Sequence, residues 1–209
     1  PAGFFYSFAV MDRPNYIFMH QDNGPIDALR NNLVEQALTE GCSHLIMLDT
    51  DMEYHRETIP RLLSHRLPIV GALCYRRYPP FDPLMLRGSP VEGYESVDKW
   101  EDGELVEVDA TGTGCLMFDT QIFRKMPAPW FKFRPNPNNS IGGVIGEDIG
   151  FCWDLKQAGY RIFVDTTVPS NHLTTLAVND STYRLYKSMK MKQREHAIAR
   201  ALSSGNEIQ

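Results

Sequence analysis

Asp49 and Asp51 directly follow the apolar run at 45–48, and only Thr50 separates them. An apolar run of this kind behind an amphipathic helix predicts a buried strand of an α/β sheet, and ligands bind at the carboxyl ends of such strands. Two side chains spaced two residues apart in an extended backbone point to the same side. Because carboxylate oxygens suit Mg²⁺ or Mn²⁺, the pair predicts a divalent-metal site, with an acidic turn as the alternative interpretation.

Three further polar side chains stand at the ends of predicted elements. Glu147 and Asp148 begin a helix that runs to about Ala158, and His172 comes a few residues after a strand at 160–165. The carboxyl ends of parallel strands meet at one edge of a sheet, so we expect these residues to meet there. A neutral imidazole is a good third ligand beside carboxylates. Each group also has a plainer interpretation, a helix cap for the acidic pair and a structural histidine for His172.

Helices and strands alternate along most of the chain, which predicts a single α/β domain with a mostly parallel central sheet flanked by helices. The clearest helix begins at Pro25 and stops before Gly41, and its apolar side chains form one stripe. The segment 75–108 is rich in proline, glycine and charge, which predicts irregular structure with short strands. The predicted elements are helices at 25–40, 56–65, after Thr120, 147–158 and about 181–202, strands at 45–48, 68–74, 115–118 and 160–165, and a loop at 127–146.

The composition restricts the class of protein. With 209 residues, 43% of them hydrophobic and 22% charged, the chain is long enough for one core and ordinary for a globular protein. No apolar run approaches the roughly 20 residues that span a bilayer, so no integral membrane segment is expected. The net charge of -5 argues against broad electrostatic binding to nucleic acid. The four cysteines are far apart and lack zinc spacing, which predicts reduced thiols and a cytoplasmic location.

The segment 181–209 is predicted to form a basic helix and tail after a domain at 1–180. Its basic side chains are Arg184, Lys187, Lys190, Lys192 and Arg194, and the run holds almost no acidic residue until Glu195. A solvated helix face is one interpretation of this run. The other is a contact with a polyanionic acceptor, such as DNA that carries a modified base, or with an anionic membrane surface.

Six ordered motifs carry a resemblance to a known family. They are DALRNNLV at 27–34, HLIMLDTDM at 44–52, TGTGCLMF at 111–118, PWF at 129–131, GEDIGF at 146–151 and the late His172. In this order they resemble the GT-A glycosyltransferases and, more narrowly, the short family-2-like members that phages or viruses often encode. The resemblance extends from the first helix to about Thr175. The family usually opens with an apolar strand that carries part of the nucleotide-base pocket, and we expect that strand to be missing ahead of Pro1.

The resemblance implies a nucleotide-diphospho-sugar donor, a bound Mn²⁺ or Mg²⁺, and hexosyl transfer to an acceptor hydroxyl on a glycan, a protein or modified DNA. A divalent ion would stabilise the charge that develops on the diphosphate leaving group. Asp51 would bind the ion with His172, while Asp49 would hold the ribose or reach the metal through water. The residues implied in donor binding are Asp27, Arg30, Asp49, Thr50 and Asp51, and those implied in metal binding are Asp49, Asp51 and His172.

The resemblance also implies roles on the acceptor side. Asp148, or Glu147, would be the general base toward an acceptor hydroxyl in an inverting enzyme and would position the acceptor in a retaining one. Arg30 would brace the nucleotide or the D-x-D loop, and a surface pair with Asp27 is the alternative. Trp130 would stack on a sugar ring, and a place in the core is the alternative. The residues implied in binding acceptor or sugar are Gly112, Thr113, Gly114 and Trp130.

Three other classes of protein fit part of the same pattern. A degenerate GT-A module that binds a partner or a glycan without catalysis would keep the fold, because fold does not imply chemistry. A nucleotidylyltransferase shares the nucleotide and the metal, although its Gly-rich basic loop is not seen near the start. A phosphatase of the haloacid-dehalogenase type also places D-x-D after an apolar strand, but Glu53 stands where that family normally has Thr or Val.

Overall fold

The computed structural model describes the backbone at 1–137 and 143–204 and the side chains at 1–137 and 143–192. Its contacts divide the chain into two compact units, Pro1–Leu173 and Thr174–Gln209. The prediction from sequence placed this boundary at 180. The first unit holds every strand that the described residues form, and the second holds one long helix.

The helices are α1 (Ala2–Val10), α2 (Ile26–Thr39), α3 (Thr58–Ser64), α4 (Gln121–Lys125), α5 (Glu147–Gln157) and α6 (Asp180–Ser204). The strands are β1 (His44–Leu48), β2 (Met52–Glu53), β3 (Ile69–Cys74), β4 (Leu86–Ser89), β5 (Gly93–Ser96), β6 (Leu105–Val108), β7 (Cys115–Asp119), β8 (Arg134–Pro135), β9 (Val144–Ile145) and β10 (Ile162–His172). All the predicted helices and strands are present, and β10 extends seven residues beyond the predicted end at Asp165.

The central sheet has the order β1-β7-β3-β10-β2, and β6 pairs with the first half of β10. Strands β3 and β10 pair in parallel, whereas β7 runs antiparallel to both of its neighbours, β1 and β3. The predicted α/β class with flanking helices is confirmed, but the sheet is mixed rather than mostly parallel. The reason is that β7 arrives from the long excursion at 75–114 and not from a helical crossover, so it enters between β1 and β3 in the opposite direction.

The direction of the strands decides which residues meet. Because β1 and β3 are both antiparallel to β7, and β10 is parallel to β3, the strands β1, β3 and β10 all end at the same edge of the sheet. The antiparallel β7 begins there. This carboxyl edge therefore receives Asp49 after β1, Tyr75 after β3, Gly114 before β7 and His172 at the end of β10.

Two helices pack on the core behind this edge. Helix α2 begins after Pro25 and ends where Gly41 takes a positive φ of 68°, which glycine adopts without strain. Helix α5 buries Phe151 and Leu155. Four fully buried phenylalanines, with ring centroids 4.7 to 6.4 Å apart, join β7, α4 and α5: Phe118, Phe123, Phe131 and Phe151. Each contributes about 1.5–3 kcal/mol of hydrophobic stabilisation, so the amino end of α5 is held firmly against the sheet.

The register of β10 against β3 shifts in the middle of the strand. Asp165 is the partner of Ala72, and the next pair along is Pro169 with Leu73. Strand β10 therefore advances by four residues where β3 advances by one, which defines a bulge at 166–168. Beyond the bulge, Asn171 and His172 pair with Glu53 and Met52 of β2.

The second unit is dominated by α6, whose described side chains are exposed except for the half-buried Thr182. They include Arg184 and Lys187, together with the apolar Leu185 and Met189. Among the described residues, no helix has both the length and the apolar character that a membrane crossing requires. Arg194 of the predicted basic run and the predicted tail at 205–209 lie outside the described side chains and backbone, respectively.

Candidate active site

The loop that carries the two aspartates is tied to its neighbours by backbone hydrogen bonds. The Asp49 N–H donates to the carbonyl of Gly114 at 3.1 Å, and the Leu173 N–H donates to the carbonyl of Asp51 at 2.7 Å. The Tyr54 hydroxyl lies 2.7 Å from the carbonyl oxygens of both Asp49 and Gly114. The ends of β1, β7 and β10 are thereby joined at one place, and the side chains of Asp49 and Asp51 are carried by a fixed backbone.

Arg30 forms a buried cluster with two acidic residues. It lies on the inner face of α2 with 6% of its surface exposed, and its Nη1 forms an ion pair with Oε1 of Glu147. Its Nη2 lies 3.4 Å from both carboxylate oxygens of Asp49. The bracing interpretation of Arg30 fits this contact with Asp49, and the surface pair with Asp27 does not. One guanidinium thus joins α2, the D-x-D loop and α5.

Asp51 belongs to a second, half-exposed cluster with His172 and Arg77. The His172 Nδ1 lies 2.9 Å from the carbonyl oxygen of Tyr75, and because a carbonyl only accepts, Nδ1 carries the proton and donates it. The other ring nitrogen, Nε2, lies 3.2 Å from Oδ2 of Asp51. Arg77 places Nη1 at 2.9 Å from that same oxygen. Sequence reasoning missed Arg77, which lies in the segment that it described as irregular.

Asp51 and His172 fit a divalent ion that is shared with a ligand. A histidine whose Nδ1–H is fixed by a carbonyl presents Nε2 as a ligand, which is the usual arrangement at metal sites. No three His, Cys, Asp or Glu side chains within the described ranges come together as a complete metal cage. Mg²⁺ commonly accepts one or two protein ligands and takes the rest from substrate phosphates and water. Asp49 is engaged by Arg30, so Asp51 and His172 are the two candidate direct ligands.

Asp148 lies in the first turn of α5, close to the glycine segment that precedes β7. Its Oδ1 accepts the N–H of Ile149 at 2.7 Å. A Cβ atom on Gly112 would lie 3.7 Å from its Oδ2, and a Cβ on Gly146 would lie 2.8 Å from its Oδ1. The absence of side chains at these two glycines leaves room for the carboxylate on both sides.

Burial raises the pKa of Asp148 above the usual range, against the opposing effect of the Arg30 guanidinium, and the negative charge of Asp49 adds to the rise. A carboxylate with a raised pKa is a stronger base than an ordinary aspartate. Burial also raises the pKa of Glu147 against the pull of Arg30. Since Glu147 is only 6% exposed and is ion-paired with Arg30, Asp148 is the better candidate for proton transfer to or from a ligand.

The glycine segment before β7 packs closely against the carboxylates of Asp49 and Asp148. A Cβ on Gly114 would lie 3.6 Å from Oδ2 of Asp49, just as Gly112 faces Asp148. Thr113 between them is 1% exposed, and its hydroxyl has no hydrogen-bond partner among the described residues. The segment therefore places a buried polar atom between two glycines that lie against the carboxylates, and buried polar atoms in folded proteins usually have a partner.

Three residues predicted for the site lie apart from these clusters. Trp130 is 6% exposed, its Nε1 donates to the carbonyls of Phe123 and Met126 at 3.1 Å, and its ring packs edge-on to Phe123. The predicted stacking of Trp130 on a sugar does not fit this core position. Thr50 is exposed at the tip of the D-x-D loop, and Asp27 is half-buried in the first turn of α2. Their donor-binding roles stay predictions.

The sheet and the helices that flank it define a GT-A-like α/β fold. No protein-family model and no curated protein matches the chain. Among solved structures, the chain is similar to A197 from STIV, with a TM-score of 0.51 and 17% identity over 83% of this chain and 80% of that one. It is also similar to the crystal structure of GalNAc-T7 with UDP, GalNAc and Mn²⁺, with a TM-score of 0.48 and 14% identity over 72% of this chain. The chain spans 31% of the GalNAc-T7 chain. The likeness to A197 shows a shared fold.

Proposed function

We propose that the protein is a glycosyltransferase that uses a divalent metal ion and moves a sugar from a nucleotide-diphospho-sugar to an acceptor hydroxyl. The observation that carries the proposal is that three groups of side chains lie at one carboxyl edge. Asp51 and His172 present a pair of metal ligands, Arg30 holds Asp49 beside them, and Asp148 presents a carboxylate of raised pKa next to Gly112. Ligands of α/β sheets bind at this edge, outside the ends of the strands.

The reaction exchanges one bond at the anomeric carbon for another. The acceptor oxygen forms a bond to the anomeric carbon while the bond from that carbon to the diphosphate oxygen breaks. The electron pair of the broken bond leaves with the nucleoside diphosphate. Asp148 accepts the acceptor's hydroxyl proton, which its raised pKa favours. A bound divalent ion would supply Lewis-acid stabilisation of the diphosphate oxygens.

Each cluster contributes differently to this reaction. Asp51 and His172 would hold the ion, and Tyr75 fixes the imidazole in the tautomer that leaves Nε2 available. Arg30 keeps Asp49 oriented at the end of β1, where the ribose or a metal-bound water would be recognised. Gly112 and Gly114 would let the sugar and the acceptor approach the backbone beside Asp148 and Asp49.

Metal-dependent binding of a nucleotide tests the proposal. The thermal midpoint of the chain is measured with UDP-, GDP-, ADP- and TDP-sugars, each with and without Mn²⁺. We expect one nucleotide class to raise the midpoint only with Mn²⁺, and Asp51→Asn to abolish that rise because it removes a charged ligand. Asp98→Asn, which neutralises an exposed aspartate elsewhere, is the matched control and should behave as the wild type.

Sugar transfer separates the remaining classes. With the nucleotide identified, release of the nucleoside diphosphate and of labelled sugar to water or to added acceptors is followed over time. Release of nucleoside diphosphate that depends on Asp148 supports the transferase. Metal-dependent binding with no turnover on any acceptor, or formation of pyrophosphate from a nucleoside triphosphate, would instead identify the binding module or the nucleotidylyltransferase.

A further inference from the structure

Arg77 lies on a short loop that also holds His172 in place. The loop at 75–83 follows β3 and is closed by a bridge between Tyr75 and Pro83 and by a hydrogen bond from the Arg76 N–H to the carbonyl of Asp82 at 2.9 Å. At its base, the Tyr75 carbonyl accepts the proton of His172 Nδ1. The same loop therefore fixes one candidate metal ligand and places a guanidinium beside the other.

The position of Arg77 is that of an exchangeable cation. Its Nη1 lies 2.9 Å from Oδ2 of Asp51, the oxygen that His172 Nε2 also approaches. The two side chains of the pair are 43% and 32% exposed, and ion pairs in water contribute little, so either partner can be replaced at small cost. A divalent ion held by Asp51 and His172 would compete with Arg77 for this oxygen.

We propose that Arg77 binds the diphosphate of the donor, and that the entry of a divalent ion at Asp51 releases Arg77 for this contact. The inference rests on the proposed function, since it assigns a residue to the donor of that reaction. A guanidinium presents a planar set of donors that matches phosphate oxygens, which a lysine ammonium does not. The Tyr78 ring, 5.6 Å from Cζ of Arg77, supports one face of the guanidinium. The cation that sequence reasoning assigned to the donor site, Arg30, is paired with Asp49 and Glu147 in the structure.

The test uses two probes, Mn²⁺ alone and inorganic pyrophosphate in the presence of Mn²⁺, with the full chain in isothermal titration calorimetry. Arg77→Met should bind Mn²⁺ alone about two- to fivefold more tightly, because the competing ion pair is gone. The same variant should bind pyrophosphate at least about tenfold more weakly, because a charge-assisted contact is lost. Arg77→Lys should recover only part of the pyrophosphate affinity. Arg76→Met, a change to the neighbouring exposed arginine, is the matched control for both probes.

The two opposite shifts distinguish the outcomes. If Arg77 had only a structural role, Arg77→Met would weaken the binding of both Mn²⁺ and pyrophosphate, or of neither. That result overturns the proposal. So does equal weakening in Arg77→Met and Arg76→Met, or no binding of pyrophosphate by the wild type. Binding of pyrophosphate that depends on Arg77, without transfer from any sugar nucleotide, would leave the inference standing and overturn the proposed function instead.

Discussion

Arg30 and Arg77 each pair with one aspartate of the D-x-D motif, but one pair is inside the protein and the other faces solvent. The Arg30 side chain is 8% exposed and pairs with Asp49 and Glu147, whereas Arg77 is 43% exposed and pairs with Asp51. A buried charge that loses its partner bears the full cost of desolvation, while an exposed charge that loses its partner is solvated by water. The same kind of arginine–aspartate ion pair therefore has two roles. The buried pair of Arg30 with Asp49 fixes the D-x-D loop, and the exposed pair of Arg77 with Asp51 can be exchanged for other ligands.

The largest expected effect is on stability, and it tests the buried side of the comparison. Arg30→Met should lower the free energy of unfolding by about 3–5 kcal/mol, because Glu147 then remains buried without a partner. Arg77→Met should change it by about 1 kcal/mol or less. Urea unfolding followed by circular dichroism measures both. The double change Arg30→Met with Glu147→Leu should recover part of the loss, and an Arg30→Met variant as stable as Arg77→Met would contradict the comparison.

The next effect separates activity from stability at Asp148. Asp148→Asn should lower the rate of sugar transfer about 10²- to 10⁴-fold, the range for a lost general base. It should also leave the chain at least as stable at neutral pH. The pKa of Asp148 is raised in the folded state, so the folded protein binds this proton more tightly than the unfolded chain does, and ionisation costs stability above that pKa.

The pH dependence checks the sign of that argument. Stability that Asp148 contributes is fully present at acidic pH and is lost as the pH rises from the ordinary aspartate pKa of about 3.9 to the higher pKa of the folded state. The free energy of unfolding of the wild type should therefore increase relative to that of Asp148→Asn as the pH falls through this window. The acid limb of kcat/KM should lie above about 3.9 for the same reason. Asp98→Asn serves as the control, and an unchanged transfer rate in Asp148→Asn would refute the assignment.

A smaller and more local effect is expected at Gly146, the residue that caps α5. A methyl group there would stand 2.8 Å from Oδ1 of Asp148, too close for that side chain to keep its position. Because the contacted atom is the end of a flexible side chain, Gly146→Ala should cost only about 1 kcal/mol of stability. It should nevertheless slow transfer by up to about 10²-fold through misplacement of the carboxylate. Adding Gly146→Ala to Asp148→Asn should have little further effect on the transfer rate. If the two losses of rate were additive, Gly146→Ala would not act through the Asp148 carboxylate.

The sequence predicted the elements with sustained periodicity and the residues at their ends. Helix α2 and strands β1 and β3 were expected from apolar patterns, and helix α5 from the acidic residues at its start and the glycine after its end. The D-x-D motif and His172 meet as the strand-end argument required. The family resemblance implied that Arg30 braces the nucleotide or the D-x-D loop, and its contact with Asp49 fits the second of these. These features are local in sequence or follow from a general rule about sheet edges.

The features that the sequence did not predict depend on tertiary contacts. The two-residue strands β2, β8 and β9 are too short for any periodic pattern, and α1 has apolar residues without a clear stripe. The direction of β7 follows from the path of the long excursion before it. Arg77 is one of two arginines in the Pro-rich loop at 75–83, and only the folded chain shows that its guanidinium reaches Asp51.

The number of residues in the β10 bulge determines which way the side chains after it point. Val164 before the bulge packs in the same cluster as Leu73, whereas Val168 after it packs in the opposite cluster with Cys74. Three extra residues, an odd number, thus turn even-numbered side chains from one layer of the protein to the other. A single deletion at 166–168 would turn His172 away from Asp51, while the loss of two residues would keep it there. In relatives of this protein, insertions and deletions in this segment should therefore involve an even number of residues, because an even number keeps the side of the sheet to which His172 points.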